Sequence, residues 1–418
     1  MADATTPALL TTADGRPLKE ALARAQSAAK RRAFMLVLPL LAFILITFVW
    51  PIIEVLQQSA YNPRFAANMP GITQWFRDNP IGTEPDEAAY AILAADLQAA
   101  AATKTVAVAG ERVNYALSGT RSLFTSTGRK AKDMAPPYRE ALLALDPQWG
   151  DPELWGVMRQ VSHAVTADFY LAAVDLERAP DGSIQQVPEN QRVYVHLFLR
   201  TFGLSAAITL ICLILGYPVA FLLSTLPVKT SSLLLILVLL PFWTSLLVRT
   251  TSWMVLLQGQ GVVNNILVWA GIIGDDGRLE MINNLTGTVV AMTHILLPFM
   301  ILPLFSVMKP IPPSYVRAAR SLGASSWTAF RRVYLPQTIP GIGAGGLLVF
   351  ILSVGYYITP ALVGGADGQL ISNLIAFHVN KSNNWSLAAA LAAILLIAIL
   401  LLYWLYDKLV GIDKLKLG

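Results

Sequence analysis

The residues able to do chemistry in this 418-residue chain gather in two polar clusters inside apolar runs. The first reads Pro241-Phe-Trp-Thr-Ser-Leu-Leu-Val-Arg249-Thr-Thr-Ser-Trp253, and the second holds Ser353, Gly355, Tyr356, Tyr357, Thr359 and Pro360. The chemistry they suit is recognition. Hydroxyls at membrane depth must pair with backbone or a neighbouring helix, or else line a wet cavity. Pro360 withholds an N–H and so frees carbonyls, and aromatic rings beside freed carbonyls suit an ammonium group. Each residue also has a plainer reading. Arg249 either snorkels from the outer end of its run or lines a path. Trp243 either packs or, with Thr244, forms a cavity wall. Tyr356 and Tyr357 with Thr359 either line that path or belong to an interfacial aromatic belt. His294, in another apolar run, is read as a packing histidine, with proton carriage as the alternative.

Composition excludes much else. The chain is 55% hydrophobic and 14% charged, with mean hydropathy +0.54, against about 25% charge in soluble domains; it is an all-α integral membrane protein. Its four histidines have no metal-ligand spacing. Cys212 lies in an apolar run and has no second cysteine to pair with. No Gly-x-x-x-x-Gly-Lys-[Ser/Thr] loop occurs, so the chain does not bind ATP by that device. The net charge of +5 does not imply nucleic acid, because most of the basic excess flanks apolar spans, where it sets orientation.

The elements that position the two clusters follow from the apolar pattern. Residues 1–32 are polar and end in a basic run containing Lys30, Arg31 and Arg32, which places them in the cytoplasm. A span over 33–56 follows, read as an uncleaved anchor because Gln58-Ser59-Ala60 is a poor cleavage site. Residues 57–195 are a different material. They carry 12 Lys and Arg against 16 Asp and Glu, a net −4, while the rest of the chain is +9. No stretch there is long enough to span, helical patterns recur in Glu87–Ala102 and around Tyr138–Asp146, and a loop of this length must form its own small domain outside the membrane. Five more spans are expected at 197–226, 232–257, 285–308, 341–363 and 387–409, within 196–410, ahead of a cytoplasmic tail at 411–418. This topology puts Lys229, Lys309, Arg317, Arg320, Arg331, Arg332 and Lys408 inside. The segments 258–284 and 364–386 fall outside with few basic residues, and the apolar piece at 262–274 is too short to cross and lies along the outer interface.

One internal segment differs from the rest: Pro312 to Pro336 is short, polar and basic. Pro312 and Pro313 stop the preceding span, Ser314 caps a helix over 315–322, and Gly323 supplies a left-handed turn. Ser325 or Ser326 then caps a second helix over 327–334, which Pro336 ends. The result is a docking element, with Ala318 and Ala319 leaving one face open to close approach.

At these residues the chain resembles the membrane subunits of bacterial ATP-binding-cassette importers. Their loop reads Glu-Ala-Ala, three residues, Gly, nine residues, Ile-x-Leu-Pro. Ala318, Ala319, Gly323, Leu335 and Pro336 fall at that spacing, Val333 replaces the Ile, and Arg317 stands where the family has Glu. The two clusters, with Gly-Gln-Gly-Val-Val-Asn-Asn-Ile-Leu and Leu-Ile-Ser-Asn-Leu-Ile, are similar to the first permease of spermidine/putrescine-type importers. The resemblance covers 197 to the C-terminus and the first span, leaving the insert at 57–195 unaccounted for: it contacts a binding protein or caps a partner permease.

The resemblance implies six spans of a type I importer fold and transport by alternating access in a bacterial inner membrane, with both termini cytoplasmic. It implies a second permease, two ATPase subunits that bind the ATP and Mg, and a periplasmic solute-binding protein. The coupling role falls on Arg317, Ala318, Ala319, Gly323, Leu335 and Pro336. Gly341 and Gly345, four apart, read as a permease–permease contact. Tyr356-Tyr357 stands where many polyamine permeases have Asp-Phe, which leaves monoamines, amino acids and opine-like solutes open beside polyamines. Two other classes compete. An ion-coupled secondary transporter needs buried carboxylates or paired ionisable residues in its spans, and the five later spans contain essentially none apart from peripheral Arg249 and the tail's Asp407. A membrane-anchored enzyme needs a catalytic set in the insert, where His163 and Asp168 are the sole candidates.

Overall fold

The computed structural model describes residues 18–179 and 182–410; the start of the N-terminal segment and the tail at 411–418 lie outside them. The chain divides into two units, Met1–Gln58 and Ser59–Gly418. The first unit is helical from Leu18 and contains most of the span Ala29–Ala60. Its apolar side chains are exposed, Leu36 at 83% and Ile46 at 68%, as hydrocarbon-facing residues are. A π-turn at Leu45–Val49 precedes Pro51. A proline at this point lacks an N–H and its ring crowds the carbonyl four residues back, here that of Thr47, so the turn widens around it.

The second unit holds four further long apolar helices, Tyr194–Thr225, Leu285–Met308, Ser326–Gly355 and Trp385–Lys408, and two bent pairs: Glu87–Ala102 with Val106–Asn114, at 119° within the insert, and Val228–Trp243 with Leu246–Trp269, at 94°. The expected span over 232–257 is therefore not one helix. Pro241 removes a backbone donor, the chain opens at Thr244, and the Ser245 hydroxyl caps the next helix by accepting from Val248 N–H. The expected span over 341–363 is also corrected. Its helix starts at Ser326 and ends at Gly355, and a separate short helix, Ile358–Val363, follows.

Helices Tyr194–Thr225, Leu285–Met308 and Ser326–Gly355 share one core built on Ile208, Met292, Leu296, Met300, Leu304 and Val349, all wholly buried. Cys212 is buried in it, with Sγ 3.6 Å from the Thr293 carbonyl. Gly341 and Gly345 face this core. A Cβ at Gly345 would lie 2.9 Å from Met300 Sδ, and one at Gly341 would lie 3.2 Å from the Pro303 carbonyl. The small-residue stripe thus seats a helix of the same chain, not a second permease, because the two prolines of Leu285–Met308 leave its backbone close to that face.

The insert is a helical domain with its own apolar core, in which Phe65, Leu93, Leu97, Phe124, Trp149 and Met158 are fully buried. Both expected helices form, as Glu87–Ala102 and Tyr138–Leu145. Asp96 accepts from the N–H groups of Gly71 and Ile72 at the start of Pro70–Asp78; burial pushes its carboxyl above the ordinary range against the pull of those two bonds. A hairpin of Leu176–Arg178 and Ile184–Gln186 closes the domain.

The insert is joined to the ends of two spans. Asp175, 6% exposed, accepts from the N–H groups of Val193, Tyr194 and Val195 at 2.8–3.1 Å. It thereby caps Tyr194–Thr225 from outside the helix, where orphan donors favour a carboxylate. Asn62 donates to Ser386 Oγ at 3.0 Å, and Tyr115 donates to the Asn383 carbonyl at 2.9 Å. Phe169 packs with Phe198, Leu387 and Leu391. Asp175→Ala leaves three N–H groups at the helix start without this partner and should cost about 2 kcal/mol. Thermal unfolding in detergent will read this as a lowered midpoint, which an unchanged midpoint would contradict.

Candidate functional site

The two polar clusters meet at two helix breaks. Thr250 Oγ1 and Thr359 Oγ1 lie 3.1 Å apart and both residues are fully buried. This contact joins Leu246–Leu257, just past the first break, to Ile358–Val363, just past the second. Thr359 therefore faces protein. Trp243, at the first break, is 82% exposed, and the Thr244 hydroxyl donates back to the Pro241 carbonyl. The Arg249 guanidinium lies 5.9 Å from the Phe242 ring centre. Its Nε is enclosed without a hydrogen-bond partner. Tyr356 is half-buried and Tyr357 is 45% exposed.

The second break answers the question of freed carbonyls. It falls at Tyr356-Tyr357, where Tyr356 is extended (φ −71°, ψ 131°), four residues before Pro360. Pro360 has no N–H to give the Tyr356 carbonyl, and its ring crowds it. The carbonyl is instead filled by Ser372 Oγ at 2.5 Å, and that of Tyr357 accepts from Asn373 Nδ2 at 2.7 Å. Both carbonyls at the break thus have a side-chain donor from the same later helix. Ser372 and Asn373 are the residues that sequence reasoning missed. They lie in the Leu-Ile-Ser-Asn-Leu-Ile stretch, and the signal was a polar pair opening an apolar helix shortly after a proline break.

His294 accepts a hydrogen bond at Nδ1 from Trp253 Nε1 at 3.1 Å. Indole nitrogen only donates, so Nδ1 carries no proton in this arrangement. The indole thus fixes the orientation of an imidazole that is itself exposed. Beyond Leu246–Leu257, fully buried Asn264 staples its segment together through the Gln258 carbonyl and the Leu279 backbone. This leaves Trp269 88% and Ile272 69% exposed, as expected of a piece lying along an interface.

The expected coupling residues lie together at the other ends of the spans. Pro313 occupies the first helical turn of Pro313–Ser321 with Pro312 at the cap position, so Ser314 is inside the helix. Arg317 and Ala318 are exposed and Ala319 is half-buried. Gly323 has φ +89°, a turn that side chains resist. Beside it Leu322 is 89% and Trp327 68% exposed.

Ser325 accepts from Thr328 N–H and starts the next helix. That helix does not end at Pro336. A π-turn at Phe330–Tyr334 widens around the carbonyl of Arg332, which Pro336 leaves unpaired, and the helix runs on to Gly355. It is the device seen before Pro51. Leu335 is half-buried and Pro336 exposed along this helix. Its first turns are fixed by ring contacts of Phe330 with Tyr217 and of Tyr334 with Phe221, at 6.1 and 5.3 Å.

Helices of spanning length, two of them broken around aligned polar residues, and a basic helical hairpin at their far ends define a multi-span membrane transport subunit. The family described as "Binding-protein-dependent transport system inner membrane component" matches residues 201–410, and the chain belongs to it. It is the permease subunit of an ATP-binding-cassette importer, a multi-pass inner-membrane protein.

Its relatives include the spermidine/putrescine transport system permease protein PotB of Escherichia coli (strain K12), 36% identical over 222 residues that cover 52% of this chain and 80% of that one. PotB of Haemophilus influenzae is 37% identical over 216 residues, covering 52% and 75%. A crystal structure of a bacterial alginate importer in complex with an alginate-bound periplasmic protein aligns with a TM-score of 0.44 at 18% identity, covering 54% of this chain and 81% of that one. The family match begins at 201, so the insert lies outside it.

Ser372→Ala removes the donor that replaces the missing N–H of Pro360. Leaving the Tyr356 carbonyl unpaired should cost about 1–3 kcal/mol. Thermal unfolding will show a lowered midpoint, and Ser372→Thr will retain most of the stability; equal loss in both variants would contradict the assignment.

Proposed function

We propose that this permease moves a small amine-bearing solute, a polyamine or a related amino acid or opine, from a periplasmic binding protein into the cytoplasm. A separate pair of ATPase subunits binds and hydrolyses ATP, and a second permease completes the path. The observation that carries this reading is the unbroken helix Ser326–Gly355. It begins beside Gly323, in the loop whose spacing matches the family's coupling element, and ends where Tyr356 and Tyr357 stand. Movement of an ATPase against Arg317, Ala318 and Ala319 then tilts a rod whose far end is the solute site, opening it to alternate sides.

The amine class is supported by the two PotB relatives and by exposed aromatic faces at the break, which attract cations. Arg317 in place of the family's Glu requires an ATPase groove of matching sign. With the loop 309–340 inside, both termini are cytoplasmic and the insert is periplasmic.

The direct test is uptake of labelled putrescine, spermidine, single amines and amino acids by cells expressing the whole transporter. Putrescine or spermidine should be taken up and each should compete with the other. Uptake confined to solutes without an amine would overturn the reading. Gly323→Pro, which forbids φ +89°, should abolish uptake while the chain still inserts in the membrane; normal uptake would contradict the coupling role.

A further inference from the structure

We propose that the cleft where loop 309–340 leaves the span Leu285–Met308 binds one anionic phospholipid of the leaflet that this loop faces. The cleft has a volume of about 670 Å³, within the usual range for sites of small organic ligands. Its walls are apolar, formed by Phe221, Leu226, Met308, Ile311, Val316 and Phe330, while Lys309 and Arg317 stand among its lining residues without any carboxylate. Three helix ends converge there: Thr225, Met308 and Ser326.

The charges are uncompensated. Lys309 Nζ donates to the carbonyls of Ser224 and Leu226 at 3.2 and 3.1 Å, closing the end of Tyr194–Thr225. An ammonium has three donors, so one remains for a ligand. Among the described residues neither Lys309 nor Arg317 has a carboxylate within 4.0 Å, and residues 309–340 contain Lys309, Arg317, Arg320, Arg331 and Arg332 with no Asp or Glu. A phosphate at this rim meets one free ammonium donor and a guanidinium.

The apolar depth selects a lipid over a free anion. Phe221, which lines the cleft, is itself 40% exposed, and its neighbour Leu222 is 52% exposed. The cleft thus continues into the hydrocarbon-facing surface of the same helix, so an acyl chain can lie along Phe221 while the headgroup sits at Lys309. Basic pockets between spans at the membrane surface bind anionic headgroups by this combination.

The full-length chain in detergent, titrated with dioleoylphosphatidylglycerol or dioleoylphosphatidylcholine, should retain one phosphatidylglycerol in native mass spectra and show no matching phosphatidylcholine species. Lys309→Gln should lower the ratio of the two bound lipids about fivefold, and Arg317→Gln, at an exposed position on the cleft rim, should lower it in the same direction. Val316→Trp, which fills the cleft, should remove the bound lipid. Equal retention of the two lipids by the unaltered chain overturns the proposal. So does a ratio unchanged in Arg317→Gln even if Lys309→Gln fails to fold. Displacement of the lipid by millimolar glycerol phosphate would instead show a site for a free phosphate.

Discussion

One continuous helix organises this permease. Ser326–Gly355 runs for 30 residues, about 45 Å at 1.5 Å per residue, and it carries Pro336 and Pro340 without breaking. The π-turn at Phe330–Tyr334 takes up the missing donor of Pro336, and ring contacts with Tyr217 and Phe221 hold that turn against Tyr194–Thr225. Because close packing cannot deform continuously, displacement at the loop end moves the whole rod. The chain stops being rigid only at Tyr356-Tyr357, where Pro360 breaks the ladder and Ser372 and Asn373 replace the lost partners. Stiffness and its interruption therefore fall where the proposed coupling and recognition roles need them.

The half that carries the insert is braced in a complementary way. Asp175 caps Tyr194–Thr225 from the insert, Asn62 bonds Ser386 in the first turn of Trp385–Lys408, and Tyr115 bonds Asn383 just before it. The buried Thr250–Thr359 contact ties the two breaks to each other. The insert is thus fastened to the core through hydrogen bonds to helix ends. Such bonds fix orientation more than they add stability, because each is worth only about 1 kcal/mol net.

Much of this was legible in the sequence for simple reasons. Apolar length marks a span, basic residues mark its inner end, and a charge-balanced stretch too long for a loop must fold by itself. The turn at Gly323 follows from residue type, and the loop spacing from Ala318 to Pro336 led to the family. Other features depend on partners far along the chain. Proline content does not say whether a helix breaks: Pro336 is absorbed by a π-turn, whereas Pro360 has its break four residues upstream. Gly341 and Gly345 promise a close neighbour without saying whose, and the neighbour is Leu285–Met308 of the same chain. The donors that fill the Tyr356 and Tyr357 carbonyls are 16 residues on, and Asp175 acts on a helix that starts 19 residues later. No local pattern encodes those pairings.

The central claim, that the loop and the aromatic break are the two ends of one lever serving an amine importer, is tested most directly by ATPase activity. The whole complex would be placed in lipid discs with its binding protein and offered polyamines, single amines, amino acids and opine-like acids in turn. The account predicts that an amine-bearing solute stimulates hydrolysis, and that Gly323→Pro uncouples hydrolysis from that solute while basal activity persists. Hydrolysis indifferent to every amine, or stimulation that survives Gly323→Pro, would contradict it.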